Sequence, residues 1–266
     1  MKTSRIKTIV IVILLLVNVF LLVLLLGRRN EQRIAYERSV EQLSLLLVNN
    51  GITFDTSLLP DKVSFPAAEL THDAAAEAAF AHALLGDNAA ARSTGGGNSV
   101  YESERGSLRF RANGAVDGSM NCPARDPADF LSGILPPLGY RVDVSGVNFA
   151  GSGTAVAVRE MDSTRIFNAP LTFTFESGAL TSVSGSFLPS VTLTKSTDGM
   201  DAISALVRFL DYRNTNGLVC TQIVHLENGY LLQSAAVSPK LVPAWHIMTD
   251  VSEYYVNSVT GEITRE

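Results

Sequence analysis

The chain has 266 residues, 46% hydrophobic and only 18% charged, with 21 Lys and Arg against 26 Asp and Glu and a formal net charge of −5. A charged share below the roughly 25% of ordinary soluble domains excludes disorder and allows a sizeable core. The acidic balance leaves no basic footprint for nucleic acid. Two cysteines, Cys122 and Cys220, are too few for a disulfide scaffold or a four-ligand zinc site, though one bridge remains open.

In chain order, the first feature is the apolar run Ile9 to Leu26, broken only by Asn18. At about 1.5 Å per helical residue it reaches roughly 27 Å, enough to cross a bilayer. It ends in Leu26-Gly27-Arg28-Arg29 rather than in small residues, so it reads as an uncleaved anchor over 9–27 behind a cytoplasmic tail 1–8. Lys2, Arg5 and Lys7 on one flank and Arg28, Arg29, Arg33 and Arg38 on the other do not decide the orientation by charge. A short tail before a large domain fits the tail inside and the domain outside the cytoplasm. An Asn within a span either bonds its own helix backbone or reaches a helix of another chain, so Asn18 is a candidate contact to a partner span.

Over 28–50 the steps between Tyr36, Val40, Leu43 and Leu47 predict an amphipathic juxtamembrane helix that ends at Asn49-Asn50-Gly51. The region 51–122 opens with a strand-like GITFD, then a helix over 71–85 with Thr71 as N-cap. Residues 88–99, with three consecutive glycines, read as a loop. Hairpin strands follow around Arg105-Gly106 and Asn113-Gly114.

Two similar units then succeed each other. The first, 123–188, has Asp126 as N-cap, Pro127 at the first helical position, a helix to Leu135 and strands near 139–149, 153–161, 169–176 and 179–187. The second, 189–266, has a helix from about Asp198 through Ile203, Leu206, Val207 and Leu210, then strands near 218–227, 230–238, 243–249 and 252–264. The expected fold class is α+β: one N-terminal transmembrane helix followed by two related helix-plus-antiparallel-sheet domains.

No catalytic pattern survives its context. Ser4-x-x-Lys7 precedes the apolar run, Gly151-Ser152-Gly153 sits in an expected hairpin, and Gly95-Gly96-Gly97 has no phosphate-loop Lys after it. His72 and His82 stand ten apart on one expected helix, and Cys220 and His225, five apart in an expected strand, point to opposite faces. No catalytic residue, metal ligand or cofactor site is expected. Trp245 is expected to pack against the helix at 198–214, with a surface anchor for a partner as the alternative. Tyr254 and Tyr255 are adjacent in a strand, so one faces the core and the other, facing out, is a candidate interface residue.

Ser4-Arg5-Ile6-Lys7-Thr8-Ile9, leading to Asn18-Val19-Phe20-Leu21-Leu22, resembles the opening of the YycI/YycH regulatory proteins of Gram-positive bacteria, YycI most of all. So do Pro243-Ala244-Trp245-His246-Ile247, Tyr254-Tyr255-Val256-Asn257 and Thr260-Gly261-Glu262, although PepSY domains end in similar strands. Lys2-Thr3 stands where the family commonly has Asp-Trp, and the Ala-rich stretch 71–92 has no counterpart in the family. The resemblance implies a single-pass membrane protein, non-catalytic and without cofactor, whose domain lies outside the cytoplasm. It further implies a WalK-type sensor histidine kinase and a YycH-like companion as partners, in control of cell-wall metabolism. The alternative is a PepSY-like binding module that restrains a protease or binds a peptide or cell-wall ligand.

Overall fold

Asp73, Asp126 and Asp201 each stand immediately before a helix and accept hydrogen bonds from its first free backbone N–H groups: those of Ala75 and Ala76, of Ala128 and Asp129, and of Ser204. Behind each of these helices runs an antiparallel meander. The computed structural model describes residues 17–18, 20, 31, 33–60, 65–161, 164–197, 199–233 and 239–265, which fall into two compact units dividing between Ser57 and Leu58.

In the first unit, helix α1 spans 33–49 and strand β1 Thr53–Phe54. α1 ends as a Schellman motif: Gly51 N–H donates to Val48 O at 2.9 Å and Ile52 N–H to Leu47 O at 2.9 Å. Of the expected stripe Leu43 and Leu47 are buried, Val40 is half-buried and Tyr36 is exposed; Ile52, beyond the helix, is also buried. Of the apolar run 9–26 only Val17, Asn18 and Phe20 are described; they are helical and exposed. The rest of the expected span, and the tail 1–8, lie outside the described residues. Among the described residues no helix is long and apolar enough to cross a membrane, so the expected transmembrane element gives way to a sheet-rich fold.

The second unit starts with β2 (Phe65–Thr71), α2 (Ala74–Leu85), β3 (Ala90–Gly95), β4 (Asn98–Ser103), β5 (Gly106–Phe110) and β6 (Ala115–Pro123). Next come α3 (Pro127–Ile134), β7 (Tyr140–Asp143), β8 (Gly153–Met161), β9 (Thr164–Ile166), β10 (Leu171–Glu176) and β11 (Ala179–Ser186). Finally there are β12 (Ser190–Thr197), α4 (Ala202–Thr215), β13 (Gln222–Gln233), β14 (Lys240–Thr249), β15 (Glu253–Asn257) and β16 (Ile263–Arg265).

The expectation of two separate helix-plus-sheet domains is corrected here. The strands form one hydrogen-bonded path, β12-β2-β14-β13-β9-β8-β10-β11-β6-β5-β4-β3, with β7 branching from β8 and β15-β16 from β14. Helix plus meander occurs three times, because 74–123 folds as α2 with β3 to β6. The last strands of the first two repeats pair antiparallel, Val116 opposite Gly185 and Ser119 opposite Ser182. One core lies under both: Phe80 and Leu84 of α2, Leu108 and Phe110 of β5, Leu131 of α3, and Phe173 and Phe175 of β10. β8 carries the sheet onward, since Gly153–Ala157 pair with β10 while Glu160 and Met161 pair with β9, which runs parallel to β13.

Two local expectations fail for physical reasons. Residues 90–95 are strand rather than loop; every one is exposed, so no alternation of apolar and polar marks them. The turn after them is made by Gly95, Gly96 and Gly97 at φ 85°, 63° and 78°, a left-handed path that only glycine follows cheaply. The expected turn between 227 and 230 is absent, for β13 runs unbroken through Asn228-Gly229. Gly229 answers a close approach instead: a Cβ there would fall on the Phe167 ring and the Arg165 carbonyl.

Candidate functional site

α4 covers one face of the third sheet. Phe209 lies against Tyr254 with ring centroids 5.0 Å apart, and Trp245, wholly buried, donates from Nε1 to Met200 O at 2.7 Å. Trp245 and Tyr254 are therefore core residues on the helix side, which rules out a surface anchor at Trp245. Tyr255 points to the opposite face, yet it is only 7% exposed. The expected outward interface tyrosine is thus covered. Asn18, the candidate contact to a partner span, is helical and exposed.

What covers Tyr255 is the segment after β9. Phe167 packs over His246 at 5.2 Å and over Tyr255 at 5.5 Å, and the rings of His246 and Tyr255 stack at 4.8 Å and 17°. Pairing puts Glu227, His246 and Tyr255 in one cross-strand row, Glu227 opposite His246 and His246 opposite Tyr255. His246 is 4% exposed, with Nδ1 3.2 Å from Glu227 Oε1 and Nε2 2.9 Å from Glu253 Oε2. Arg165 Nη1 donates to Glu227 Oε1 at 3.1 Å, and His225 Nε2 stands 3.7 Å from Glu227 Oε2.

Burial alone would raise the Glu227 carboxyl. The hydrogen bond with His246 and the charges of Arg165, His225 and His246 outweigh it and hold that carboxyl below the ordinary range. A neutral imidazole carries one N–H, so only the doubly protonated ring can donate to both carboxylates. The cluster fastens β9 to the third sheet: Arg165 lies in β9, its partner Glu227 in β13, and His246 and Glu253, which continue the chain of contacts, in β14 and β15. Asn168 continues the clasp, donating from Nδ2 to Leu232 O at 3.0 Å and accepting the Leu232 N–H at 2.6 Å. Beside it a groove of about 310 Å³ opens between Asn168, Leu231, Gln233, Tyr255, Asn257 and Arg265.

A second polar cluster stands at the start of α2. Glu77, 6% exposed, accepts from Ser99 Oγ at 2.9 Å and faces His72 Nδ1 at 3.1 Å. Burial pushes its carboxyl up against the opposing effects of Ser99 and His72. His72 precedes α2, so it does not share a helix with His82. Cys122 and Cys220 are free and buried, and burial raises both thiols. Among the described residues no group of three or more His, Cys, Asp or Glu could hold a metal ion.

Sequence reasoning missed Glu227, Glu253, Arg165 and Phe167. The available signal was the alternation of Glu253 and Tyr255 with Tyr254, which sends both to the face opposite α4. No family model matches the chain, and no curated protein matches it.

Proposed function

We propose that this protein is a non-catalytic accessory regulator of a WalK-type sensor histidine kinase, working outside the cytoplasm through protein contacts alongside a YycH-like companion. The observation that carries the reading is how the charged groups of the third sheet are used. Arg165, Glu227, His246 and Glu253 pair with one another under Phe167 and hold β9 to β13–β15, rather than converging on a cavity where a substrate could sit. Such an arrangement suits a rigid body that biases another protein. Biasing a kinase requires only unequal affinity for its two conformations. The residues of resemblance at the two ends of the chain support the same reading and give the partner its class.

The second reading, a module that restrains a protease or binds a peptide or cell-wall ligand, is favoured by the open strand edges that repeated meanders leave. Affinity purification of the full chain from its own cells, with mass spectrometry of co-purifying proteins, separates the two. Recovery of a sensor kinase with a YycH-like protein supports the regulator. Recovery of a protease or cell-wall enzyme without a kinase refutes it in favour of the binding module, and recovery of neither refutes both.

A further inference from the structure

The first two repeats pair through their last strands, β6 and β11, so their first strands stand at the outside. Among the described residues β3 pairs only with β4, and all six of its residues are exposed. An unpaired edge presents the backbone N–H and C=O of every second residue as a template for another strand. Natural sheets blunt such edges by shortening them, bulging them or covering them. The other edges here are blunted: β7 has four residues and β16 three, and β12 slips register between Leu193 and Ser196. β3 keeps regular register from Ala90 to Ser93 and slips only at its end, before Gly95.

Both faces of β3 are unfinished. Ala91 stands opposite Tyr101 and Tyr101 opposite Leu108, the row that faces α2. Yet Ala91 is exposed while Leu108 is wholly buried, so the cover of α2 stops short of β3. An added strand with apolar residues on that side would complete the layer. On the other face Arg92, Val100 and Arg109 form one cross-strand row. Val100 is 7% exposed while both flanking arginines are exposed, and among the described residues neither has an ion pair. Arg111 in the same area is paired with Asp117 at 2.7 Å. Arg109 lies two strands in and stands opposite Asp117, but Arg92 is on β3 itself, and an uncommitted cation there favours a carboxylate opposite it on an incoming strand.

We propose that the edge of β3 takes an extended segment of a partner protein, added as a further strand, with apolar side chains toward α2 and acidic side chains on the face that carries Arg92. Backbone pairing supplies the affinity, and alternate side chains supply the choice of partner. The proposal rests on the partner-binding reading above and gives it a place and a chemistry.

Its test uses the full chain and the acetylated, amidated hexapeptide of alternating Val and Glu, followed by backbone amide NMR. The counterpart with Lys for Glu serves as the control. The Glu peptide is expected to shift the amides of 90–95 and slow the exchange of alternate ones. The Lys peptide should bind about three- to ten-fold more weakly, the range that opposed cross-strand charges allow. Arg92→Glu, at an exposed position, should reverse the preference. Equal binding of the two peptides, shifts confined to other strands, or no binding overturns the proposal. Recovery of the partner kinase by wild type and Arg92→Glu alike overturns the edge assignment and leaves the regulator standing. Peptide selection at β3 without any recovered kinase does the reverse.

Discussion

Replacing Tyr140 by Phe tests whether one hydroxyl holds the joint that follows the second repeat. Tyr140 is 3% exposed; its oxygen accepts the Leu188 N–H at 2.7 Å and donates to Ser186 O at 3.3 Å. Arg159 stands over the ring at 5.5 Å and donates to Pro189 O at 3.4 Å. Phe187 lies parallel to Tyr140, with centroids 6.3 Å apart, and stacks on Phe80 at 4.6 Å. The variant keeps the ring and these contacts and removes one oxygen, so Leu188, 2% exposed, loses the acceptor of its N–H. A buried donor left unmet costs about 1–3 kcal/mol. For a unit of this size each kcal/mol moves Tm by about 2–4 °C, so a central loss of about 2 kcal/mol lowers it by roughly 4–8 °C. Burial pushes the phenol far above the ordinary tyrosine range, so the folded state keeps it neutral. That contribution is fully present below about pH 10 and is lost as pH rises above it. The Tm difference between wild type and variant should therefore be flat from pH 6 to 9 and narrow in stronger alkali. Thermal unfolding followed by circular dichroism measures it, and amide exchange at Leu188 should accelerate. A variant with unchanged Tm and an equally protected Leu188 amide would refute the assignment.

Gly229→Ala should cost about 1–3 kcal/mol, because the added methyl meets the Phe167 ring and the Arg165 carbonyl; Gly229→Ala combined with Phe167→Ala should cost less than the two separate losses summed, and plain additivity would deny the contact. Glu227→Gln should cost about 1–3 kcal/mol at pH 7 and flatten the acid limb. The lowered Glu227 carboxyl contributes stability above its unfolded value of 4.5 that is lost as pH falls through its folded one. An acid limb as steep in the variant as in wild type would count against the clasp. Glu77→Gln should act the opposite way. A carboxyl raised by burial favours the protonated form, so its stabilising effect is complete below 4.5 and is lost as pH rises through the folded value. The variant should match wild type at pH 4 and melt higher at pH 7.5; a lower Tm at pH 7.5 would mean that the pair with His72 outweighs the burial.

Parts of this fold were legible because the signal is local. Asp126 before Pro127 caps α3 as its chemistry predicts, Asn49-Asn50-Gly51 closes α1, and Trp245 turns toward the helix behind it. Where the cause lies in another element, the chain reads differently. Asn228-Gly229 is a hairpin signal by composition, but the glycine there makes room for a ring more than sixty residues earlier. Tyr255 reads as outward by alternation, and on its own sheet it is; Phe167 arrives over it from the β9 segment. β3 escaped because strand signals report burial on one face, and β3 is buried on neither. The N-cap at Asp73 rather than Thr71 is a slip of two residues between competent capping side chains, and α4 starts at Ala202 behind Asp201 rather than at about Asp198.

The arrangement of repeats explains why the polar cluster and the open edge lie where they do. Joining two four-strand meanders by their last strands uses one edge of each and leaves the first strands, β3 and β7, outermost. β8 runs on past its pairing with β7, and Glu160 and Met161 at its end pair with β9, which leads on to β13. The end of β8 is thus committed to joining the third sheet, and the joint is only three residues of strand long. Two pairs of residues in parallel register with β13 are weak support for such a connection, and side chains must add to it. Arg165, Phe167 and Asn168 do so, each binding a different part of the third sheet: a carboxylate, a ring pair and a backbone amide with its carbonyl. Loosening this joint would free the third sheet from the other two repeats while leaving the core around Phe80, Phe110 and Phe173 whole.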